Sequence, residues 1–211
     1  MVRQAHHERP SLTGTTRQHI VGDYTISVLH FERGGGVKRT ALLAGGALAI
    51  AIVALVLGLR AAGKADAGGF LGPASLLSDL NLTLEILLVL GLTFGMVLAR
   101  RGRIEAHRFN QTVWVLVNAA LVVCIMIPSL QNAKPGSFAD LATVSTGLPL
   151  LHTAVGVLTL AAGLWLVLQM NDVLPQRWHT AQWKTLMRLT LTGYWLVALL
   201  GIGIYYVWNV G

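Results

Sequence analysis

LNLTLEILLVLGLTFGMVLARRGRIEAHRFNQTVWVLVNAALVVCIMIPSL, residues 80–130, holds two long apolar runs joined by a short basic turn. Neither run alternates between apolar and polar residues, as a barrel strand of about 10 residues would. Each approaches the ~20 residues that an α-helix needs to cross the ~30 Å hydrocarbon core of a bilayer. In lipid the backbone must satisfy its own hydrogen bonds, so the runs read as helices. The stretch is therefore a transmembrane hairpin.

Working outward, three more runs of this kind complete a set: Ala41 to Leu59, Leu80 to Ala99, Thr112 to Leu130, Pro149 to Met170 and Leu189 to Val210. A composition of 54% hydrophobic and 12% charged residues departs from a soluble globular domain in the same direction. The expected fold is all-α and integral to the membrane: five transmembrane helices, with spans two to five as a four-helix core and the first span added to it. The corresponding divisions are a polar leader at 1–38, the first transmembrane helix at 39–60, an external loop at 61–79 and a four-helix membrane domain at 80–211.

Of the 16 Lys and Arg residues, all but Arg60, Lys64 and Lys134 lie before span one, between spans two and three, or between spans four and five. Positive residues mark cytoplasmic segments, which predicts a cytoplasmic amino terminus and an external carboxy terminus in a multi-pass protein of the cell membrane. The net charge of +7 then reflects topology and contact with anionic lipid headgroups rather than nucleic-acid binding. A polar segment precedes span one, so it reads as a retained anchor rather than a cleaved signal. The lone Cys124 excludes an intrachain disulfide and reads as a small packing residue.

The leader carries His6, His7, His19 and His30. Adjacent histidines in a flexible tail make a weak metal site. Asp23 to Phe31 reads as a short strand or an amphipathic docking segment, and Gly34, Gly35 and Gly36 as a hinge into span one.

The residues with chemistry sit near the span ends. His107 lies about one turn before the apolar run of span three, and His179 and Arg188 precede that of span five, all on the expected cytoplasmic side. His152 stands at the opposite face, early in span four. One ion cannot be ligated from both faces across the core. His107 and His179 read either as interfacial imidazoles among the anchors Arg108, Arg177, Trp178, Trp183 and Lys184, or as ligands for haem iron, copper or another metal. Glu85 is the carboxylate read as lying well inside an apolar span. It should face the bundle interior, because an ionisable group at that depth is costly unless paired, protonated or hydrated. His152 is its nearest expected partner, for proton movement, metal binding, cofactor anchoring or simply locking two helices. Asn81 and Asn118 read as interhelical hydrogen-bonding groups, and Gly91 with Gly95 as a close-packing GxxxG pair. No CxxCH, CxxC, Walker or GxSxG motif is present.

The "RRGRIEAH" turn, the "LLHTAVG" start of span four and the "RWHTAQWKTLMRLTLTGYWLVALLGIGIYY" finish give the region Asn81 to Trp208 a resemblance to a known family. It resembles the small bacterial membrane proteins of domain of unknown function 420. The resemblance implies that His107, His152, His179 and Arg188 hold the family's characteristic polar positions. It also implies a link to maturation of haem–copper terminal oxidases, with such an oxidase as membrane-protein partner. The function expected is a non-enzymatic factor that assists oxidase assembly or supplies a cofactor, haem b or copper, through transient histidine contact. The alternatives are an electron-transfer subunit holding b-type haem, and a structural subunit or small transporter.

Overall fold

The computed structural model describes residues 18–130 and 143–209, with side chains from residue 39 onward. Its chain divides into two compact units, 1–36 and 37–211. The first unit is helical where it is described, so the short-strand reading of Asp23 to Phe31 gives way to helix. The leader histidines His6 and His7 lie outside the described residues, as do the side chains of His19 and His30.

In chain order the helices are α1 (Gln18–Ala61), α2 (Leu76–Arg100), α3 (Ile104–Leu121), α4 (Ile127–Leu130), α5 (Val144–Met170) and α6 (Trp183–Asn209). A π-helical segment, Val122–Met126, joins α3 to α4, so Ile104–Leu130 is one continuous span. Five helices are long and apolar enough to cross a membrane: Arg39–Ala61, Leu76–Arg100, Ile104–Leu130, Val144–Met170 and Trp183–Asn209. Among the described residues there is no strand, only an isolated bridge between Gly68 and Ser75.

Most helices begin before their apolar runs do. Ser75 caps α2 by accepting from the Ser78 amide at 3.2 Å, which draws Asp79 into the first turn and shortens the expected 61–79 loop. α3 starts at Ile104 rather than Thr112, so His107 is a helical residue. α6 starts at Trp183 rather than Leu189. Polar and charged residues tolerate the interfacial turns of a spanning helix, so hydropathy alone places these starts too late.

The ends are built alike. Gly102 (φ +74°) follows α2, with Arg103 N–H bonded to Leu98 O and Gly102 N–H to Ala99 O. Asp172 (φ 54°) follows α5, with Val173 N–H on Leu168 O and Asp172 N–H on Gln169 O. Both are Schellman closures that satisfy terminal carbonyls. Antiparallel neighbours follow from these short turns.

α2 packs on α3 and α6, and α5 on α3 and α6, which closes a four-helix ring. Its core is Leu88, Val89, Leu92, Val115, Val167, Tyr194 and Ala198. The membrane portion of α1 lies outside the ring, with Ile52 and Val56 against Val117, Leu121 and Ile125. The bundle thus has two ends: a turn end, with the 101–103 turn and the 171–182 connection, and a loop end, with the 62–75 loop.

Candidate functional site

Polar side chains of α3 reach across to the backbone of α2. His107 Nδ1 bonds the Gly95 carbonyl at 2.8 Å, Asn110 Nδ2 donates to Gly91 O at 2.8 Å, and Gln111 Nε2 donates to Leu92 O at 2.9 Å. These residues share one helical face of α3 by their spacing. A carbonyl has two lone pairs, so each accepts a second bond without leaving its helix. The approach requires glycine: a methyl on Gly91 would run into the Trp114 ring, and one on Gly95 into Asn110 and Gln111. The GxxxG pair is a packing device here, as its spacing suggests.

That geometry fixes the His107 ring. A carbonyl only accepts, so Nδ1 carries the proton and Nε2 keeps its lone pair. The ring is 5% exposed and lines a turn-end cavity of about 450 Å³ between α2, α3, α5 and α6. Leu92, Met96, Leu166 and Met170 make its walls apolar, while Arg100, Lys184 and Arg188 stand in the same lining. Lys184 lies over the Trp183 ring at 5.5 Å. The buried Thr190 hydroxyl, also in the lining, has no hydrogen-bond partner among the described residues.

His179 is placed differently. It lies in the 171–182 connection, after a 3₁₀ turn at Gln176–Trp178, and its Nε2–H donates to Leu174 O at 3.1 Å. It does not line the cavity of His107. Trp165 stacks on Trp178 with centroids 6.0 Å apart, Trp165 Nε1 donates to Thr180 Oγ1 at 3.2 Å, and Thr180 N–H bonds Gln169 Oε1 at 3.0 Å. These ties fix the connection against α5, and Asn171 adds one to α3 by donating to Thr112 Oγ1 at 2.9 Å.

The loop end holds the other pair. Glu85 on α2 and His152 on α5 meet with Oε1 and Nε2 4.0 Å apart, both side chains largely buried. They line a cavity of about 570 Å³ together with Asn81, Met126 and Tyr205. The contact expected between these two residues is therefore present as proximity, beyond hydrogen-bonding distance. Asn118 lies deeper and donates to Tyr194 OH at 3.4 Å, an interhelical bond between α3 and α6.

Asp79 is the site residue that hydropathy misses, because it stands just before the apolar run that begins at Leu80. Fully buried in the first turn of α2, it accepts from Leu71 N–H at 2.5 Å and from Tyr205 OH at 2.7 Å. The signal for it is the Ser75-Leu-Leu-Ser78 helix start, which places the following aspartate at the positive end of the α2 dipole.

Among the described residues, no three His, Cys, Asp or Glu side chains cluster as metal ligands. The turn-end residues fit a different kind of guest. A planar apolar group with carboxylates finds one imidazole Nε2, apolar walls and three cations in one lining, which is the donor set of a singly ligated haem. Comparison of the chain with family models, with curated proteins and with solved structures found no match.

Proposed function

We propose that this protein is a non-enzymatic membrane factor that assists assembly of a respiratory haem–copper oxidase or supplies its cofactor, with a cytoplasmic amino terminus and the turn end at the cytoplasmic face. The observation that carries the reading is the His107 ring, oriented by the Gly95 carbonyl so that Nε2 is free in an apolar cavity with Arg100, Lys184 and Arg188 in its lining. The resemblance of Asn81 to Trp208 to an oxidase-maturation family supports it from the sequence side, and the basic turns support the orientation.

In this reading His107 would hold the iron of a haem, and Arg100, Lys184 and Arg188 would hold its carboxylates. Haem supplies the receiving oxidase with its redox and oxygen chemistry. What the chain itself contributes is a single imidazole in the turn-end cavity, and a guest held by one ligand leaves more readily than one held by two. Permanent retention of b-type haem calls for axial ligands facing each other at one depth, and His179 is bonded into its own connection instead.

The test pairs a cellular with a purified readout. A deletion strain should lose oxidase activity and regain it with the parent gene but not with His107→Ala. Purified parent protein titrated with haem should give a Soret shift that His107→Ala loses and His179→Ala keeps. Full oxidase activity in the deletion strain, or an unchanged Soret shift in His107→Ala, would overturn the proposal.

A further inference from the structure

The loop-end cavity carries chemistry that the turn-end reading does not use. Glu85 of α2 and His152 of α5 face each other there, with Oε1 and Nε2 4.0 Å apart and no hydrogen bond between them. Glu85 Oε1 is buried without a hydrogen-bond partner among the described residues, and so is His152 Nδ1. The ring's other polar neighbour is the Val197 backbone, so the proton sits on Nε2 and Nδ1 keeps only a lone pair. A buried carboxylate oxygen is normally satisfied, and one left open beside a cavity calls for a bound group. The pair narrows the choice of that group. An ammonium cannot accept from the Nε2 proton, and a carbonyl cannot donate to the carboxylate. A hydroxyl does both, sharing the Nε2 proton with Val197 in a three-centre bond. Hydrogen bonds of about 2.8 Å to each side meet at one oxygen set off the line between the two atoms.

The space beside the pair is made for more than one hydroxyl. The cavity holds about 570 Å³, many times what a single water needs, and it reaches Asp66 of the exposed 62–75 loop, which gives an entry path. A buried water makes about three hydrogen bonds, whereas the pair offers two, which suits a hydroxyl carried on carbon. Leu82, Ile125, Met126 and Ile204 supply apolar wall for that carbon. Gly201 of α6 seats the acid: a methyl there would lie 2.5 Å from Glu85 Oε2. Asn81 stands one turn toward the loop on the same face of α2, about 6 Å along the axis, and lines the cavity too. The two oxygens of a para-dihydroxy benzene ring are about one such helical turn apart.

From these observations we infer that the loop-end cavity binds an aromatic diol of the hydroquinone type, with one hydroxyl bridging His152 and Glu85 and the second at Asn81. The ring lies against Leu82, Met126 and Ile204. Apolar walls with a few polar groups that fix orientation are the usual make-up of a small-molecule site. An ionisable side chain at this depth in a spanning helix is expected to have a functional partner, and the diol is that partner for Glu85. The inference is independent of the turn-end cavity and of haem.

The experiment titrates the full chain, in detergent and under reducing conditions, with hydroquinone, para-methoxyphenol and para-dimethoxybenzene by isothermal calorimetry. One hydroquinone per chain is expected. Capping one hydroxyl with a methyl should weaken binding severalfold, and capping both about tenfold or more. Glu85→Gln and His152→Leu should each weaken hydroquinone about tenfold while the protein keeps its helix content and elution volume. In Asn81→Leu the affinity for hydroquinone should fall to that for para-methoxyphenol. The ether series in the parent protein reads the hydroxyl contacts even where a variant does not fold. Absence of saturable binding would leave water alone on the pair and overturn the inference. Equal affinity for the diol and its dimethyl ether, or unchanged affinity in both Glu85→Gln and His152→Leu, would overturn it as well.

Discussion

Asp79 joins three parts of the molecule: its own helix start, the Leu71 amide of the 62–75 loop and the Tyr205 hydroxyl of α6. A carboxylate deprived of a donor retains its desolvation cost, so Tyr205→Phe should lower stability, read as a fall in the denaturation midpoint of the purified protein. An unchanged midpoint would mean that the bond carries no net weight. At this scale the sequence was informative in an uneven way. The pairing of Glu85 with His152 was legible because both stand near the same end of their spans, and topology alone brings them to one face. Asp79 was not, since it follows a serine pair at a span edge and reads as loop until the helix cap is recognised. His107 was legible as a candidate, but its use of the Gly95 carbonyl was not, because a side-chain bond to a helical backbone leaves no pattern in composition.

At the scale of elements, the α2–α3 hairpin shows how a basic turn and a GxxxG pair cooperate. The Gly102 turn reverses the chain, and the two glycines let α3 approach closely enough for His107, Asn110 and Gln111 to reach α2 carbonyls. Gly91→Ala should cost about 1–3 kcal/mol by overpacking against Trp114. In a Trp114→Ala background the same change should cost much less, a coupling that a double-mutant cycle measures. Equal costs in both backgrounds would remove Trp114 from the explanation. Pro128 and Pro149, which lie within spanning helices, are handled by their neighbours. Pro149 cannot donate to Ser145 O, and Trp208 Nε1 of α6 takes that carbonyl at 3.2 Å. Upstream of Pro128 the helix widens into the π-helical segment, where Ile127 N–H bonds Val122 O. A proline in the sequence marks where a helical bond is lost; which carbonyls change partners depends on the packing of the neighbouring helices.

For the whole molecule, the decisive property is the apolar surface. Leu43, Ile50, Leu158 and Leu189 are exposed by 73%, 70%, 72% and 67%. Apolar exposure on this scale around every spanning helix suits a lipid solvent, where it costs nothing, and would drive aggregation in water. Within that solvent the bundle places one imidazole in a cavity at the turn end and an imidazole–carboxylate pair in a cavity at the other. The proposed orientation puts the turn end at the cytoplasmic face and the loop end at the external one. Single cysteines introduced at Arg103 and at Asp66, both exposed, report this directly in a Cys124→Ala background. With a membrane-impermeant maleimide on intact cells, Asp66→Cys should label at once and Arg103→Cys only after permeabilisation. The reverse order, or labelling of both from outside, would contradict the account.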